Sequence, residues 1–278
     1  MAEKSAIPVE LGTEKIGRLL KQYALPAIIA QTASSLYNMV DSIFIGQGVG
    51  PLAISGLAVT FPLMNLSTAF GTLVGAGAAT MLSVLLGLKN YKTANKVLGN
   101  VVSLNVILGL VFMAVALIFI DPILYFFGAS ENTLPFAKEY MKIILYGNIV
   151  THLYFGLNAA MRSSGSPKKA MGLTLFTVIF NTILDPIFIF VLDMGIAGAA
   201  WATVIAQTVA MLIVMRHFND KRRPFHFEKG IFKLDMRVAK DSLSIGMGPF
   251  LMNAAACLVT LFINQQLRKY SGDLGIGA

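Results

Sequence analysis

Residues 35–50 read SLYNMVDSIFIGQGVG, and Asp41 lies in the middle of this stretch. No basic residue occurs between Lys21 and Lys89, so the aspartate lies near the end of a long apolar run without a cation close to it in sequence. An aspartate in such an apolar segment indicates either a functional role or a specific hydrogen-bond partner elsewhere in the chain.

The composition of the 278 residues is that of an integral membrane protein. Hydrophobic residues make up 56% and charged residues 13% of the chain, and the mean hydropathy is +0.71. Soluble domains carry about 25% charged residues. The apolar runs are continuous, which predicts an all-α fold and excludes a soluble or purely structural role.

The apolar runs predict seven membrane spans, because one helical span needs about 20 apolar residues. The predicted spans are about 16–46, 52–86, 97–120, 136–161, 170–192, 195–217 and 241–267.

The basic residues predict the orientation of these spans. Of the 22 Lys and Arg residues, 18 fall in the N-terminal arm and in alternate loops, so the net charge of +8 indicates topology and not a nucleic-acid partner. We therefore expect a multi-pass protein of the inner (plasma) membrane with a cytoplasmic N-terminus. No signal peptide is evident, and the single Cys257 rules out an intramolecular disulfide.

Two of the 14 acidic residues, Asp41 and Asp185, fall well inside predicted spans. A charged side chain at mid-membrane costs at least about 2.5 to 3.5 kcal/mol and usually marks an ion or proton path. The alternative is a protonated aspartate that hydrogen-bonds a neighbouring helix.

The depth of these residues favours one shared site. At 1.5 Å per residue, Asp41, Asp185 and Thr203 each lie roughly 8 to 12 Å below the outer end of their span. Asn181 precedes Asp185 by one turn. Such an oxygen-rich group suits a hard cation, and two adjacent carboxylates also favour binding of a proton, so Na⁺ and H⁺ both remain open.

Two further residues in the spans allow a functional and a structural interpretation. Pro26 predicts either a static kink or a moving hinge in the first span. His152 is interpreted as a hydrogen-bonded interior residue, since no metal-ligand spacing accompanies it.

Several motifs together resemble one transporter family. They are LYNMVDSIFIGQGVGPLAISGLAVTFP (36–62), GAGAATMLSVLLG (75–87), RSSGSP (162–167), NTILDPIFIF (181–190) and GIAGAAWAT (195–203). The combination, which extends over essentially the whole chain, is similar to multidrug and toxic compound extrusion (MATE) transporters. The resemblance implies twelve helices in two six-helix lobes, and exchange of Na⁺ or H⁺ for organic cations by alternating access.

The resemblance also implies roles for individual residues. Asp41, Asn181, Asp185 and Thr203 would form the cation or proton site, with Na⁺ as the possible metal. Tyr37 and Asn158 would line the drug cavity, although Asn158 lies close to Arg162 and the cytoplasm in the sequence-based depth count. The protein would be no enzyme, need no cofactor beyond the coupling ion, bind small amphipathic cations within the lipid bilayer, and act as a monomer in its full-length form.

The chain is expected to be a six-helix lobe plus a seventh helix, as a piece of a longer transporter. The chain is weakly similar to itself when it is shifted by 219 residues. This similarity suggests that the seventh span corresponds to the first span and begins a second repeat. The predicted division is a first lobe at 1–217, a basic cytoplasmic linker at 218–240 and the first helix of a second lobe at 241–278.

Two other functions are open on the sequence alone. Flippases of lipid-linked oligosaccharides or lipids belong to the same superfamily, but their cavities should contain several intramembrane Lys or Arg residues. An intramembrane aspartyl protease would also use two aspartates. That class predicts Tyr-Asp and Gly-x-Gly-Asp contexts, whereas this chain has Val40-Asp41 and Leu184-Asp185.

Overall fold

The protein is all-helical in a computed structural model that describes residues 15–221, 225–228, 230 and 233–277, and these residues include no strand. The all-α prediction is therefore confirmed. The helices are α1 (Ile16–Gly48), α2 (Pro51–Gly87), α3 (Tyr91–Ile118), α4 (Ile120–Phe126), α5 (Leu134–Tyr146), α6 (Asn148–Ser163), α7 (Pro167–Pro186), a π-helical turn (Ile187–Val191), α8 (Gly195–Phe218) and α9 (Met236–Gly277).

Several helix boundaries differ from the predicted spans because polar residues cap the helices. The third span begins at Tyr91 and not near residue 97, since the Asn90 side chain accepts a hydrogen bond from the Thr93 backbone N–H at 3.1 Å. The seventh begins at Met236 and not at 241, because the Asp235 carboxylate accepts from the N–H groups of the first turn.

The fourth predicted span is bent into α5 and α6 at Gly147. A Cβ atom at this position would lie 2.6 Å from the nearest Val204 methyl group, so the glycine allows α8 to pack closely at the bend. Neither half alone is long enough to cross a membrane.

Five of the described helical segments are long and apolar enough to be membrane spans, fewer than the seven predicted. The bend accounts for one missing span, and polar residues such as Gln31, Asn38 and Asp41 lower the hydropathy of α1. The five segments are Pro51–Gly87, Tyr91–Ile118, Pro167–Val191, Gly195–Phe218 and Met236–Asp273. When the bent α5–α6 is counted as one helix and the short α4 is counted with α3, the described residues form the predicted six-helix bundle plus a seventh helix.

The fifth span changes its winding after Asp185. Pro186 has no N–H to donate, and the next turn closes with a wide hydrogen bond from Leu192 N to Ile187 O at 2.9 Å. A Cβ at Gly198 would lie 2.8 Å from the carbonyl carbon of Phe188, so α8 begins directly against this turn. Proline disfavours helical geometry in the residue before it, which accounts for a change at Asp185, but the π-helical form of the next turn does not follow from the sequence.

Helix α2 lies at the centre of the bundle and packs against α3, α5, α6 and α9, while α1 packs mainly on α7. We call the end that holds the turns at 88–90 and 164–166 and the segment 219–235 the basic end. The other end, with the turns at 49–50, 127–133 and 192–194, is the opposite end. Each end has its own cluster of buried apolar side chains.

Three predicted features lie partly outside the described residues. They are the N-terminal arm at 1–14, much of the basic stretch in the 218–240 linker, and the last residue of the seventh helix segment. The division of the chain into 1–217, 218–240 and 241–278 stays a prediction.

Candidate functional site

The two intramembrane aspartates lie in the interior of the bundle, where α1, α7 and α8 meet. Asp41 of α1 is 4% exposed and Asp185 of α7 is 0% exposed. Their charges are close enough to interact directly. Helix α1 presents Asp41 inward because Tyr37, one turn earlier, packs into the same region.

Thr203 of α8 connects the three helices by hydrogen bonds. Its hydroxyl lies 2.8 Å from the Tyr37 hydroxyl, and it accepts a hydrogen bond from the Asn181 amide nitrogen at 3.3 Å. The structure therefore brings together five of the residues singled out by the sequence. They are Tyr37, Asp41, Asn181, Asp185 and Thr203.

The oxygens of this site are short of hydrogen-bond donors. Oδ1 of Asp41, Oδ1 of Asn181 and both carboxylate oxygens of Asp185 are buried and have no hydrogen-bond partner among the described residues. The Asn181 amide nitrogen donates to Thr203, and its carbonyl oxygen has no hydrogen-bond partner among the described residues. Four acceptor oxygens without donors attract a proton or a cation.

No described basic side chain forms a salt bridge with either aspartate, whereas Lys96 pairs with Asp235 and Lys138 pairs with Asp121. In the described part of the chain, no group of three or more His, Cys, Asp or Glu could hold a metal ion. A cation here would instead use two carboxylates with amide and hydroxyl oxygens, a donor set that fits a hard cation such as Na⁺.

Tyr140 belongs to this site and was not singled out by the sequence analysis. It lies on α5 and is 1% exposed. Its hydroxyl lies near Thr203 and near the carboxylates of Asp41 and Asp185. The sequence around it, KEYMKIILY, carries no motif.

Pro26 and Asn158 lie apart from the aspartates and line a small, partly open pocket toward the basic end. Arg162 and Thr174 also line this pocket. The Asn158 amide donates to the Ala170 carbonyl at 3.3 Å. Asn158 therefore lies near Arg162, as the depth count predicted, and α1 continues as a helix through Pro26.

His152 forms part of a separate buried network. Its Nε2 lies 3.1 Å from the Ser67 hydroxyl, which also donates to Asn148 Oδ1 at 2.5 Å. The Asn148 amide donates in turn to the Gly109 carbonyl at 3.1 Å. The interpretation of His152 as a hydrogen-bonded interior residue agrees with these contacts, which join α2, α3 and α6 beside the bend.

Comparisons of the sequence identify relatives over most of the chain. The family model MatE matches residues 26–187. The chain is 31% identical over 255 residues to the multidrug export protein MepA of Staphylococcus haemolyticus, covering 92% of this chain and 56% of that protein. It is 30% identical over 261 residues to MepA of Staphylococcus aureus strain MRSA252, covering 94% and 58%. The chain thus spans little more than half the length of these relatives.

Comparisons of the fold identify solved transporters. The MATE multidrug transporter DinF-BH, in complex with the dye rhodamine 6G, is 32% identical, with a TM-score of 0.91 over 100% of this chain and 61% of that one. An inward-facing MATE family transporter of the MOP superfamily is 25% identical, with a TM-score of 0.83 over 90% and 59%. The predicted fold is confirmed by these similarities.

Proposed function

The chain belongs to the MatE family of multi-pass membrane transporters, and on that premise we propose that the full-length protein exports small organic compounds in exchange for Na⁺ or H⁺. The proposal concerns a protein longer than this chain, since the relatives are longer. The family consists of transporters, so the protein is not an enzyme, and the aspartyl protease alternative is set aside.

One observation carries the coupling part of the proposal, namely the four buried acceptor oxygens without donors at Asp41, Asn181 and Asp185. Ionised carboxylates in an apolar interior are strongly destabilised unless positive charge compensates them. A proton or a Na⁺ ion would supply that charge from outside the chain. The unpaired oxygens support a site that alternates between a loaded and an empty state.

Five residues of the site have a proposed role. Asp41 and Asp185 bind the cation or proton, and Asn181 Oδ1 and the Thr203 hydroxyl complete an oxygen shell if the ion is Na⁺. Tyr37 is a positioning residue, because its hydroxyl fixes the Thr203 hydroxyl at 2.8 Å. No cofactor other than the coupling ion is proposed.

Coupling requires that the cation bind the two conformations of the transporter with different affinity. Helix α1 carries Asp41 at the site and Pro26 near its other end, so movement of α1 would change both places together. Pro26 is the proposed hinge. Cation entry at Asp41 and Asp185 would then release the exported compound.

The proposed substrates are small, amphipathic and cationic, because a cationic compound would compete with the coupling ion for the same carboxylates. The structure of DinF-BH with its bound dye supports this class. Tyr37, which is half-buried beside Asp41, and Asn158 in the pocket near Pro26 are the proposed contacts. We further propose a monomer in the inner (plasma) membrane with a cytoplasmic N-terminus.

A binding experiment tests the shared site. The purified full-length protein is titrated with rhodamine 6G by fluorescence polarisation at several Na⁺ concentrations and pH values. We expect Na⁺ or H⁺ to weaken dye binding in the unmodified protein and to have no effect in Asp41→Asn. An affinity for the dye that changes with neither Na⁺ concentration nor pH in the unmodified protein contradicts the proposal and favours the flippase alternative.

A further inference from the structure

Residues 216–240, here called the basic strap, join α8 to α9 and carry the largest concentration of positive charge in the chain. The strap contains eight of the 22 Lys and Arg residues and three of the 14 acidic residues. The eight are Arg216, Lys221, Arg222, Arg223, Lys229, Lys233, Arg237 and Lys240. A cluster of this size directly beside a membrane helix is typical of segments that contact anionic lipids.

Aromatic side chains hold the described part of the basic strap against the end of α8. Phe225 is buried, and its ring packs edge-on against Phe218 with 5.5 Å between the ring centroids. The Phe227 backbone N–H donates to the Phe218 carbonyl at 2.8 Å. The strap therefore lies along the bundle at this point and does not extend away from it.

The carboxylate of Glu228 in the strap is directed toward α3. The Asn95 amide of α3 donates to this carboxylate at 2.6 Å, and the Asn95 carbonyl oxygen accepts from the His226 backbone N–H at 3.3 Å. Asn95 itself is buried. Its two hydrogen bonds therefore hold the acidic side of the strap against the bundle.

Asp235 is held by α3 in the same way. Its backbone carbonyl accepts from the Asn100 amide at 2.9 Å, its N–H donates to Asn100 Oδ1 at 3.0 Å, and its carboxylate forms a 3.3 Å salt bridge with Lys96. The Val238 backbone N–H and then Lys96 hold the pKa of Asp235 below its usual value, so its carboxylate is ionised at neutral pH. Its charge is used by partners within the bundle.

The described basic side chains of the strap show the opposite arrangement. Arg216, Lys221, Lys233, Arg237 and Lys240 are all exposed. Among the residues that the structure describes, none of these five forms a salt bridge. The strap thus has carboxylates on its inner side and ammonium and guanidinium groups on its outer side.

Neighbouring turns extend the positive charge of the basic end. Lys89 and Lys92, at the turn before α3, and Lys168 and Lys169, at the start of α7, are also exposed. The exposed Asp241, directly after the strap, offsets only one of these charges. The opposite half of the bundle differs, because its four basic residues are outnumbered by five acidic ones.

The position of the basic strap selects phospholipid headgroups as its partner. It begins in the last turn of α8 and ends in the first turns of α9, and both helices are long and apolar enough to cross a membrane. Its side chains therefore lie where these helices leave the hydrocarbon region, at the level of the headgroups. Each Lys or Arg within roughly 8 to 10 Å of an anionic bilayer surface strengthens the attraction about fivefold.

We propose that the outer side of the basic strap binds the headgroups of anionic phospholipids, with Lys221, Arg237 and Lys240 among the contacts. The attachment of Glu228 and Asp235 to α3 keeps their carboxylates away from the lipid phosphates, which they would repel. The surface is separate from the cation site and does not depend on the proposed export. In the proposed orientation these lipids belong to the cytoplasmic leaflet.

A lipid-enrichment measurement tests the proposal in the purified full-length protein, with Cys257→Ala as the parent. A donor fluorophore at Asn219→Cys, an exposed position beside the strap, reports energy transfer to tail-labelled lipids in mixed nanodiscs of phosphatidylcholine and phosphatidylglycerol. We expect transfer to labelled phosphatidylglycerol to exceed transfer to labelled phosphatidylcholine at least about twofold. A donor at Glu131→Cys, in the opposite half, should show equal transfer to both.

Neutralising the strap should remove this excess. Lys221→Gln, Arg237→Gln and Lys240→Gln together delete three exposed charges, so we expect the excess at Asn219→Cys to fall at least about threefold. These side chains make no salt bridge within the described part of the chain, so their neutralisation should leave the fold intact.

The matched control deletes the same charge from the opposite half, through Lys142→Gln, Arg268→Gln and Lys269→Gln, all at exposed positions. It should leave the excess at Asn219→Cys unchanged. Equal transfer to the two lipids with the strap unmodified, or an equal loss in both triple variants, overturns the proposal.

Two added solutes test the unmodified strap without any substitution in it. NaCl at 1 M shortens the Debye length to about 3 Å and should abolish the excess. Inorganic phosphate should have no more effect than NaCl of the same ionic strength. A stronger effect of phosphate assigns the surface to a soluble anion and overturns the lipid. No transport enters these measurements, so a failure of dye efflux would contradict the proposed function alone.

Discussion

Asp185 shows most clearly how single residues support the proposed function. It is 0% exposed, and neither carboxylate oxygen has a hydrogen-bond partner among the described residues. A buried polar group without a partner costs about 1 to 3 kcal/mol, and a charged one costs more.

The aspartates were predictable because a carboxylate in an apolar run is itself a signal. Tyr140 was not, because tyrosines are common in membrane helices and only the folded α5 places this one beside Thr203.

Asp41→Asn should abolish coupled efflux while the protein still inserts. The amide cannot bind a proton and binds Na⁺ weakly, so we expect efflux to fall at least about tenfold. The measurement is dye efflux normalised to the amount of protein in the membrane.

The matched control for this substitution is Asp193→Asn. Asp193 is exposed, and its positive φ of 51° suits asparagine. Equal efflux from both variants contradicts the role of Asp41.

Tyr140→Phe should weaken the cation response without unfolding the site. The substitution keeps the buried ring and removes a hydroxyl that lies near Thr203 and both aspartates, so we expect a several-fold higher cation concentration for half-maximal efflux. The measurement is efflux as a function of Na⁺ concentration and pH. Tyr146→Phe, on the same helix but 62% exposed, should leave the response unchanged. A response of Tyr140→Phe equal to that control removes Tyr140 from the site.

At the scale of helices, glycine and proline decide where the elements depart from the predicted spans. Gly147 bends the fourth span because Val204 of α8 occupies the space of a side chain. Pro186 leads into the π-helical turn directly after Asp185. The bend at Gly147 was not predicted from the sequence, since a glycine in a membrane helix can serve packing, bending or both. The interhelical contacts that decide between packing and bending join residues that are far apart in the sequence.

Gly246→Ala should destabilise the packing of α9 on α2. The new methyl group would collide with the Leu73 carbonyl oxygen, and overpacking of this kind costs about 1 to 3 kcal/mol. We expect a lower midpoint of thermal unfolding in detergent.

Gly248→Ala is the control on the same helix, because a Cβ there meets nothing within 4 Å. The control should unfold at or above the temperature of the unmodified protein. Equal midpoints for the two variants contradict the close contact at Gly246.

For the whole molecule, composition and the spacing of polar residues were enough to predict an all-helical membrane bundle. Apolar runs of span length can only be buried in lipid or in a bundle, so their order along the chain follows from the sequence. The attachment of α9 to the first six spans could not be predicted, because it depends on contacts such as Asn100 with Asp235 and Asn264 with Phe127, which are far apart in sequence.

The predicted orientation is tested by labelling single cysteines in the Cys257→Ala parent. A cysteine at Lys168, in the basic end, should react with a membrane-impermeant maleimide in everted vesicles and not in intact cells. A cysteine at Glu131, in the opposite end, should show the reverse pattern. The same pattern for both positions, or the inverse of the expected one, contradicts a cytoplasmic N-terminus.

The most direct test of the central claim is dye efflux by the full-length protein in everted membrane vesicles, driven in turn by an imposed proton gradient and an imposed Na⁺ gradient, with Asp41→Asn beside it. The account predicts dye movement that follows one of the two gradients and disappears in the variant. Dye movement that follows neither gradient, or that persists in Asp41→Asn with the protein confirmed in the membrane, would contradict a cation-coupled exporter built around Asp41 and Asp185.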